Sequence, residues 1–504
     1  MLDRPERREA IAEKTGGAEF AHLSAGRSRA AVRGIVWATL NSFAPAAVAA
    51  VVFAVTSRYL SPSEFGLVAL ATSITMLASA FGFAGFGEAL IQREDIETRH
   101  LNAVFWLCLS GAVLIYAVLV LSAPLLGSLF GEGGLQLLIA VVGARVMFDM
   151  GAVVPNALLS RSMSFHKLAI RTTVASLVAA VVCLVLLYLG YGLWALAISQ
   201  VASAAAAWIG SVLSVRWRPA FQFDRQALRE VARYGMFASG NRIMQMINLD
   251  QLLVGALLGT ASLGLFSFAR RIHQLLSELM AGALRMVSFS VLSSMQSEKE
   301  KLREAFTFAT FASCALSFPI FVGLAATADE VVPLIFGAHW QDAVPVLQAF
   351  CVIGLITCIG LLQSSLINSQ GRVSWWLYYQ IAQQVSTAVV ILVAYPYGID
   401  VVAYAYAAKT FLLWPATVYM SIRLLETGIG RYLRSFVAPA VASLAMLAAV
   451  FAIRSATLEL DTIESLALQV LGGGVIYIST LFAFAHRRMR QAFALISKRR
   501  TVSP

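Results

Sequence analysis

Fourteen apolar stretches of roughly 20 residues alternate with short polar connections along the chain. They fall at about 35–57, 65–87, 101–123, 136–158, 169–189, 192–214, 233–258, 262–287, 304–327, 344–367, 374–395, 400–422, 435–453 and 466–485. A helix of ~20 residues spans a ~30 Å hydrocarbon core. In lipid every backbone N–H and C=O must find its partner inside the segment, so each stretch predicts an α-helix. None shows the two-residue alternation of a membrane barrel strand. The expected fold class is an all-α polytopic membrane protein with about 14 transmembrane helices.

Composition agrees with the pattern. Of the 504 residues 59% are hydrophobic and 13% charged, against about 25% charged in a soluble domain. The net charge of +11 does not point to nucleic acid once the cations are placed. The two tails and the even-to-odd connections, with the span edges beside them, hold thirty of the 38 Lys and Arg residues. The odd-to-even connections hold two, Arg58 and Arg454. By the positive-inside rule both termini are expected in the cytoplasm. Residues 1–34 mix both signs without an apolar core, so a cytoplasmic tail is expected there rather than a signal peptide. Residues 487–504 form a basic cytoplasmic tail. The five cysteines fall in apolar spans without metal-ligand or redox spacing, so no metal or cofactor is expected.

Two internal matches suggest a repeat. SRYLSPSEFGLVALATSI (57–74) aligns with GALLGTASLGLFSFARRI (255–272), placing Gly66 over Gly264 at an offset of 198. LLYLGYGLWALAISQ (186–200) aligns with LVAYPYGIDVVAYAY (392–406), placing Gly192 over Gly398 at an offset of 206. The offset covers six spans, an even number, so both copies keep one orientation. The expectation is two parallel six-helix lobes, an N-lobe at 35–214 and a C-lobe at 233–424. A cytoplasmic linker at 215–232 joins them, with an amphipathic interfacial helix in it. Helices 13 and 14, at 432–486, lie outside the repeat. Transporters built on repeats place their substrate at the repeat interface.

Candidate chemistry concentrates between 241 and 285, where two spans carry Arg242, Asp250, Arg270, Arg271, His273, Glu278 and Arg285. A charge at bilayer depth costs at least ~2.5–3.5 kcal/mol, so such groups mark function. Four arginines against two carboxylates leave a surplus of +2, which favours an anionic ligand. Asp250 and Arg270 lie ten residues either side of Thr260, about 15 Å from the turn and level with each other. Arg242 and Glu278 match in the same way, and Arg271, Glu278 and Arg285 recur every seven residues on one face. Arginine suits a diphosphate because its planar fork bonds two phosphate oxygens at once. Arg242, Arg270, Arg271, Arg285 and the isolated Lys409 are the candidate substrate-binding residues. Asp250, Glu278 and Glu88, the last beside Gly85 and Gly87, are candidates for gating or ion coupling. Arg145 and Asp149, four apart, predict a local ion pair. His273 is expected to be packed or hydrogen-bonded.

Several segments resemble one family as a set. They are LSPSEFGLVALATSI with EALIQRED, NALLSRSMSFHKLA, GYGLWALAISQ, NLDQLLVGALLGTASLGLFSFARRI, SFSVLSSMQSEKEKLREAF and EVVPLIFGAHWQDAVPVLQ, within about residues 33–430. The set is similar to the lipid-linked oligosaccharide flippases, the polysaccharide exporters of the multidrug/oligosaccharidyl-lipid/polysaccharide superfamily. It is closest to the branch serving colanic acid, teichuronic acid and succinoglycan. Asp250 and Arg271 stand at family positions, in NLD and ARRI. Phe83 stands near a place where members often carry an acid, and Ala256 where many carry a cation.

The resemblance implies alternating access in a bacterial inner membrane. The substrate would be an undecaprenyl-diphosphate-linked oligosaccharide moved from the cytoplasmic to the periplasmic leaflet. It leaves room for protons or sodium as coupling ions, and for polysaccharide polymerase or export proteins as partners. The alternative is a drug or metabolite exporter of the same superfamily, for which unpaired acids rather than surplus cations are expected. An enzyme is not expected, since no large external loop or nucleophile motif is present.

Overall fold

The computed structural model describes residues 45–500 except 82, 84, 94, 223, 247 and 293–298. The side chains of 240–247, 281–292 and 487–500, with a few others, also lie outside the described residues. Every regular element among the described residues is helical. The first half of the chain supplies α1 (Pro45–Tyr59), α2 (Pro62–Ala80), α3 (Phe86–Gln92), α4 (Thr98–Leu129), α5 (Leu135–Arg161), α6 (Phe165–Tyr188) and α7 (Leu193–Ser214). The second half supplies α8 (Arg225–Met246), α9 (Leu249–Leu292), α10 (Lys299–Phe336), α11 (Val344–Ser369), α12 (Val373–Ala394) and α13 (Ile399–Leu425). Two further helices, α14 (Ile429–Ala456) and α15 (Thr462–Arg500), follow; α14 packs against α10 and α15 against α14.

Twelve helices among the described residues are long and apolar enough to cross a membrane. Two of the fourteen expected spans are not among them. The first begins outside the described residues and appears as the shorter α1. The expected seventh is divided between α8 and the start of α9. Asn241, Arg242, Gln245, Asn248, Asp250 and Gln251 make that stretch too polar for one uninterrupted apolar helix. Helix α8 also starts within the expected linker, because Asp224 caps it: its carboxylate accepts from the backbone N–H of Gln226 at 2.8 Å and of Ala227 at 3.3 Å.

Local chemistry sets the turns. Ser61 and Glu64 form a capping box ahead of α2, with Pro62 in the first turn. Gly259, at φ +82° and ψ 177°, breaks α9 and reverses the chain one residue before the expected turn. A left-handed backbone there suits glycine. Gly192 and Gly398, matched in the repeat, both precede a helix with positive φ.

The halves meet along α2 and α9. A Cβ on Gly66 would lie 1.8 Å from Thr260 O, and one on Gly264 would lie 1.8 Å from Pro62 O. Positions 66 and 264, and positions 62 and 260, are both 198 apart, so the contact is two-fold symmetric in the register found by the repeat. Backbone touches backbone, and only glycine fits.

This contact lies at the cation-poor end of the bundle, and the α10–α11 connection reinforces it. Arg58 donates to Leu334 O at 2.6 Å and to Ile335 O at 2.8 Å. Trp340 Nε1–H donates to Ser57 O at 2.8 Å, and the indole stacks on Phe268 at 4.2 Å. Arg454, the other cation at this end, pairs with Asp329 and Glu330. At the cation-rich end the halves touch through side chains instead. The Phe86 ring faces Gly235, and Arg93 pairs with Glu230.

Candidate functional site

Between the halves lies a cavity of about 560 Å³, lined by α1, α2, α5, α6, α7 and α9. Its wall is apolar toward α1, where Val52 and Phe53 lie, and polar toward α9. Ser73 donates to Gln251 Oε1 at 3.0 Å, and the Gln251 amide donates to Ser267 at 3.1 Å. Gln200 on α7 bonds Thr72 on α2 at 3.3 Å. These pairs place amides and hydroxyls in a water-accessible space inside an otherwise apolar bundle.

The charged hairpin supplies the cations. Asp250 and Arg270, expected at one depth on two antiparallel helices, form an ion pair. Asn248 Oδ1 accepts a second bond from Arg270 at 2.8 Å. The Asp250 side chain is 9% exposed and that of Arg270 19%, so each compensates a charge that burial would otherwise make costly. Arg270 and Arg271 both line the cavity, and Arg271 has Glu278 as its electrostatic partner. Glu278 itself is exposed. The side chains of Arg242 and Arg285 lie outside the described residues, so the expected Arg242–Glu278 match and the Arg285 end of the stripe do too.

Other expected residues go elsewhere. Arg145 and Asp149 form the expected i,i+4 pair at 2.9 Å, and Arg145 also lines the cavity. His273 is packed, stacked on Phe321 at 5.7 Å and bonded to Thr357 at 3.1 Å. Lys409 is not in the central wall. It is buried in the second half, donates to Gln383 and Thr387 at 2.8 Å each, and lies 4.5 Å over the Tyr406 ring. Glu88 is exposed on α3 and faces a separate cavity with Arg145, Asp149, Asn156 and Arg171.

Sequence reasoning missed Gln200, Asn248, Gln251 and Ser267 as lining residues, and Arg171 with Asn156 as a bonded pair. Amides inside apolar spans are a usable signal for the first group. The second group had none, because Arg171 sits at a span edge where a cation satisfies the topology rule. Among the described residues no cluster of His, Cys, Asp and Glu fits a metal ion.

The chain matches known proteins over most of its length. It is 24% identical to the teichuronic acid biosynthesis protein TuaB of Bacillus subtilis, over 80% of this chain and 82% of that one. It is 27% identical to the succinoglycan biosynthesis transport protein ExoT of Rhizobium meliloti, over 69% of this chain and 72% of the relative. The lipopolysaccharide biosynthesis protein WzxC of Escherichia coli is 24% identical over 68% of this chain and 70% of its own. Among solved structures, the lipid II flippase MurJ in an inward closed conformation superposes with a TM-score of 0.68 at 15% identity, over 92% of this chain and 99% of that chain. An inward-facing multidrug resistance MATE transporter gives 0.57 at 16% identity, over 77% and 99%. These two establish an all-helical transporter fold. The family described as "Polysaccharide biosynthesis protein" matches residues 55–345, more than half of the sequence, and the protein is therefore a multi-span membrane member of that polysaccharide biosynthesis family.

Proposed function

We propose that this protein is an alternating-access flippase. In this proposal it moves a polyprenyl-diphosphate-linked oligosaccharide from the cytoplasmic to the periplasmic leaflet of a bacterial inner membrane, with both termini cytoplasmic. The two halves act as lobes, 35–214 and 233–424, and helices α14 and α15 flank them. The observation that carries the proposal is the composition of the interlobe cavity: its ionisable lining residues among those described are Arg145, Arg270 and Arg271, all cations. A diphosphate leaving water needs such compensation, and guanidinium groups provide it in bidentate form. The names of the relatives, from succinoglycan transport to lipopolysaccharide biosynthesis, support a glycan-bearing substrate.

The geometry also suggests roles. Arg270 is anchored by Asp250 and Asn248, and this makes it a fixed charge. Arg271, which lines the cavity with Glu278 as its electrostatic partner, is the group that would turn toward phosphate oxygens. Backbone contact at Gly66 and Gly264 supports a resting state shut at the cation-poor, periplasmic end. Side-chain contacts at the other end separate more readily. The membrane potential, worth ~2.3 kcal/mol per charge per 100 mV, favours outward movement of an anion.

The test is Arg271→Ala in a strain whose exopolysaccharide depends on this protein. Export is expected to collapse while membrane-inserted, folded protein persists. Undiminished export sinks the assignment. A drug exporter would instead confer resistance in a sensitive strain.

A further inference from the structure

On the cation-rich side of the central cavity, within the first half, lies a second cavity of about 370 Å³. Small-molecule sites run from roughly 300 to 1,000 Å³. Helices α2, α3, α5, α6 and α7 bound it, and Arg145 lines both cavities. The two differ in charge. The central wall holds cations only, whereas the second holds Arg145 and Arg171 with Glu88 and Asp149, two of each sign. Asn156, Ser79 and Ser160 add neutral donors and acceptors.

The polar groups of this second wall are held in place. Arg171 donates to Asn156 Oδ1 and, at 3.1 Å, to Ser211 Oγ, and the Ser211 hydroxyl donates to Asn156 at 2.9 Å. Arg171 Nε is buried without a partner among the described residues, and a buried donor left unmade is costly. Arg145 is fixed by Asp149 at 2.9 Å.

We propose that this charge-balanced cavity is a saccharide subsite that receives the sugar units of the lipid-linked substrate and discriminates among them. The proposal rests on the flippase reading above. A wall with equal numbers of acids and bases offers a dianion no net compensation, so it is a poor phosphate site. A neutral sugar brings no charge to compensate, and each of its hydroxyls both donates and accepts. Carboxylates, guanidinium groups and an amide on one wall match that mixed demand. Because Asn156 and Arg171 are locked by each other, little order is lost on binding. A site built to hydrogen-bond a hydroxyl also rejects strongly a ligand that lacks it. The placement agrees: a substrate drawn inward by its diphosphate trails its sugars toward the cation-rich side.

The test uses the full-length protein in nanodiscs, titrated with two probes. One is undecaprenyl diphosphate and the other is the lipid-linked oligosaccharide fraction of the source cell's membranes. Wild type should bind the second more tightly. Asn156→Ala, and Ala207→Leu, which narrows the cavity without removing a polar group, should each weaken the oligosaccharide-bearing lipid about tenfold or more. Both should leave undecaprenyl diphosphate unchanged, whereas Arg271→Ala weakens both probes. Ala207→Leu keeps the Arg171–Asn156–Ser211 set, so the test survives if Asn156→Ala misfolds. Equal binding of the two probes by wild type, or variants that affect both probes alike or neither, overturns the subsite while leaving the flippase reading intact. Wild type that binds neither probe overturns both.

Discussion

The two halves share a backbone plan but not an interior. Along α2 and α9 they are near-equivalent, with Gly66 and Gly264 each pressed on the other's backbone at matched positions. Deeper in, the first half is hollow, with both cavities lying against α5, α6 and α7. Among the described residues of the second half, side chains occupy the space beside α9, and a cavity of about 330 Å³ lies further out, between α10, α11, α13 and α14. Phe266 packs on Phe350 at 5.1 Å, His273 stacks on Phe321, and Lys409 is held by Gln383, Thr387 and Tyr406. Glycine spacing fixes how closely the helices approach, while side-chain volume decides whether a space between them stays open. The difference teaches that a repeat can preserve the close contact between helices and still leave the polar cavities on one side.

The largest expected effect falls on the pair that bridges this asymmetry. Asp250→Ala should destabilise by roughly 3–5 kcal/mol, because it leaves Arg270 buried and uncompensated. Thermal unfolding of the purified protein measures this. Replacing both residues with leucine should restore most of the stability but not export, since Arg270 also faces the cavity. A double variant that exports normally would make the pair purely structural.

Next come the glycines. Gly66→Val and Gly264→Val should each cost about 1–3 kcal/mol or more, as overpacking does, and by symmetry they should cost alike. Strongly unequal losses in the same unfolding assay would break the two-fold equivalence.

A smaller change sharpens the contrast between the two interiors. Lys409→Met should cost about 1–3 kcal/mol through unmet bonds at Gln383 and Thr387. It should reduce export far less than Arg271→Ala does. Equal export losses would move Lys409 into the substrate path.

The smallest effect concerns the cation-rich contact. The Glu97 N–H donates to His100 Nδ1 at 3.1 Å, so His100 Nε2–H faces Glu230 at 3.0 Å. That bond, with Arg93 adding to it against the cost of burial, holds the Glu230 carboxyl below its ordinary value of 4.5. A lowered carboxyl stabilises above its unfolded value and loses that contribution as pH falls through the folded one. The stability gap between wild type and Glu230→Gln should therefore shrink as pH drops below 4.5. A gap that widens on acidification would contradict the contact.

Much of the fold was legible because lipid imposes simple rules. Span length and helical state follow from hydropathy, and the levelled Asp250 and Arg270 follow from counting residues either side of a turn. The repeat aligned Gly66 with Gly264, but that the two positions meet came only from the structure. The division of the seventh span between α8 and the start of α9 was not legible, because hydropathy does not reveal the cavity against which its polar residues are tolerable. Arg171 was indistinguishable from a topology-setting cation, since its bonds to Asn156 and Ser211 join residues 15 and 40 positions away.

The sequence by itself determined an all-helical membrane protein, an internal repeat and an excess of cations in the hairpin. These are one-dimensional properties, carried by composition, period and spacing. Only the tertiary structure decided which cations reach the cavity, that Lys409 is enclosed, and that charges of both signs gather around Asn156. Those outcomes depend on which helix faces meet, and rotation about a helix axis changes every such contact without changing hydropathy or depth.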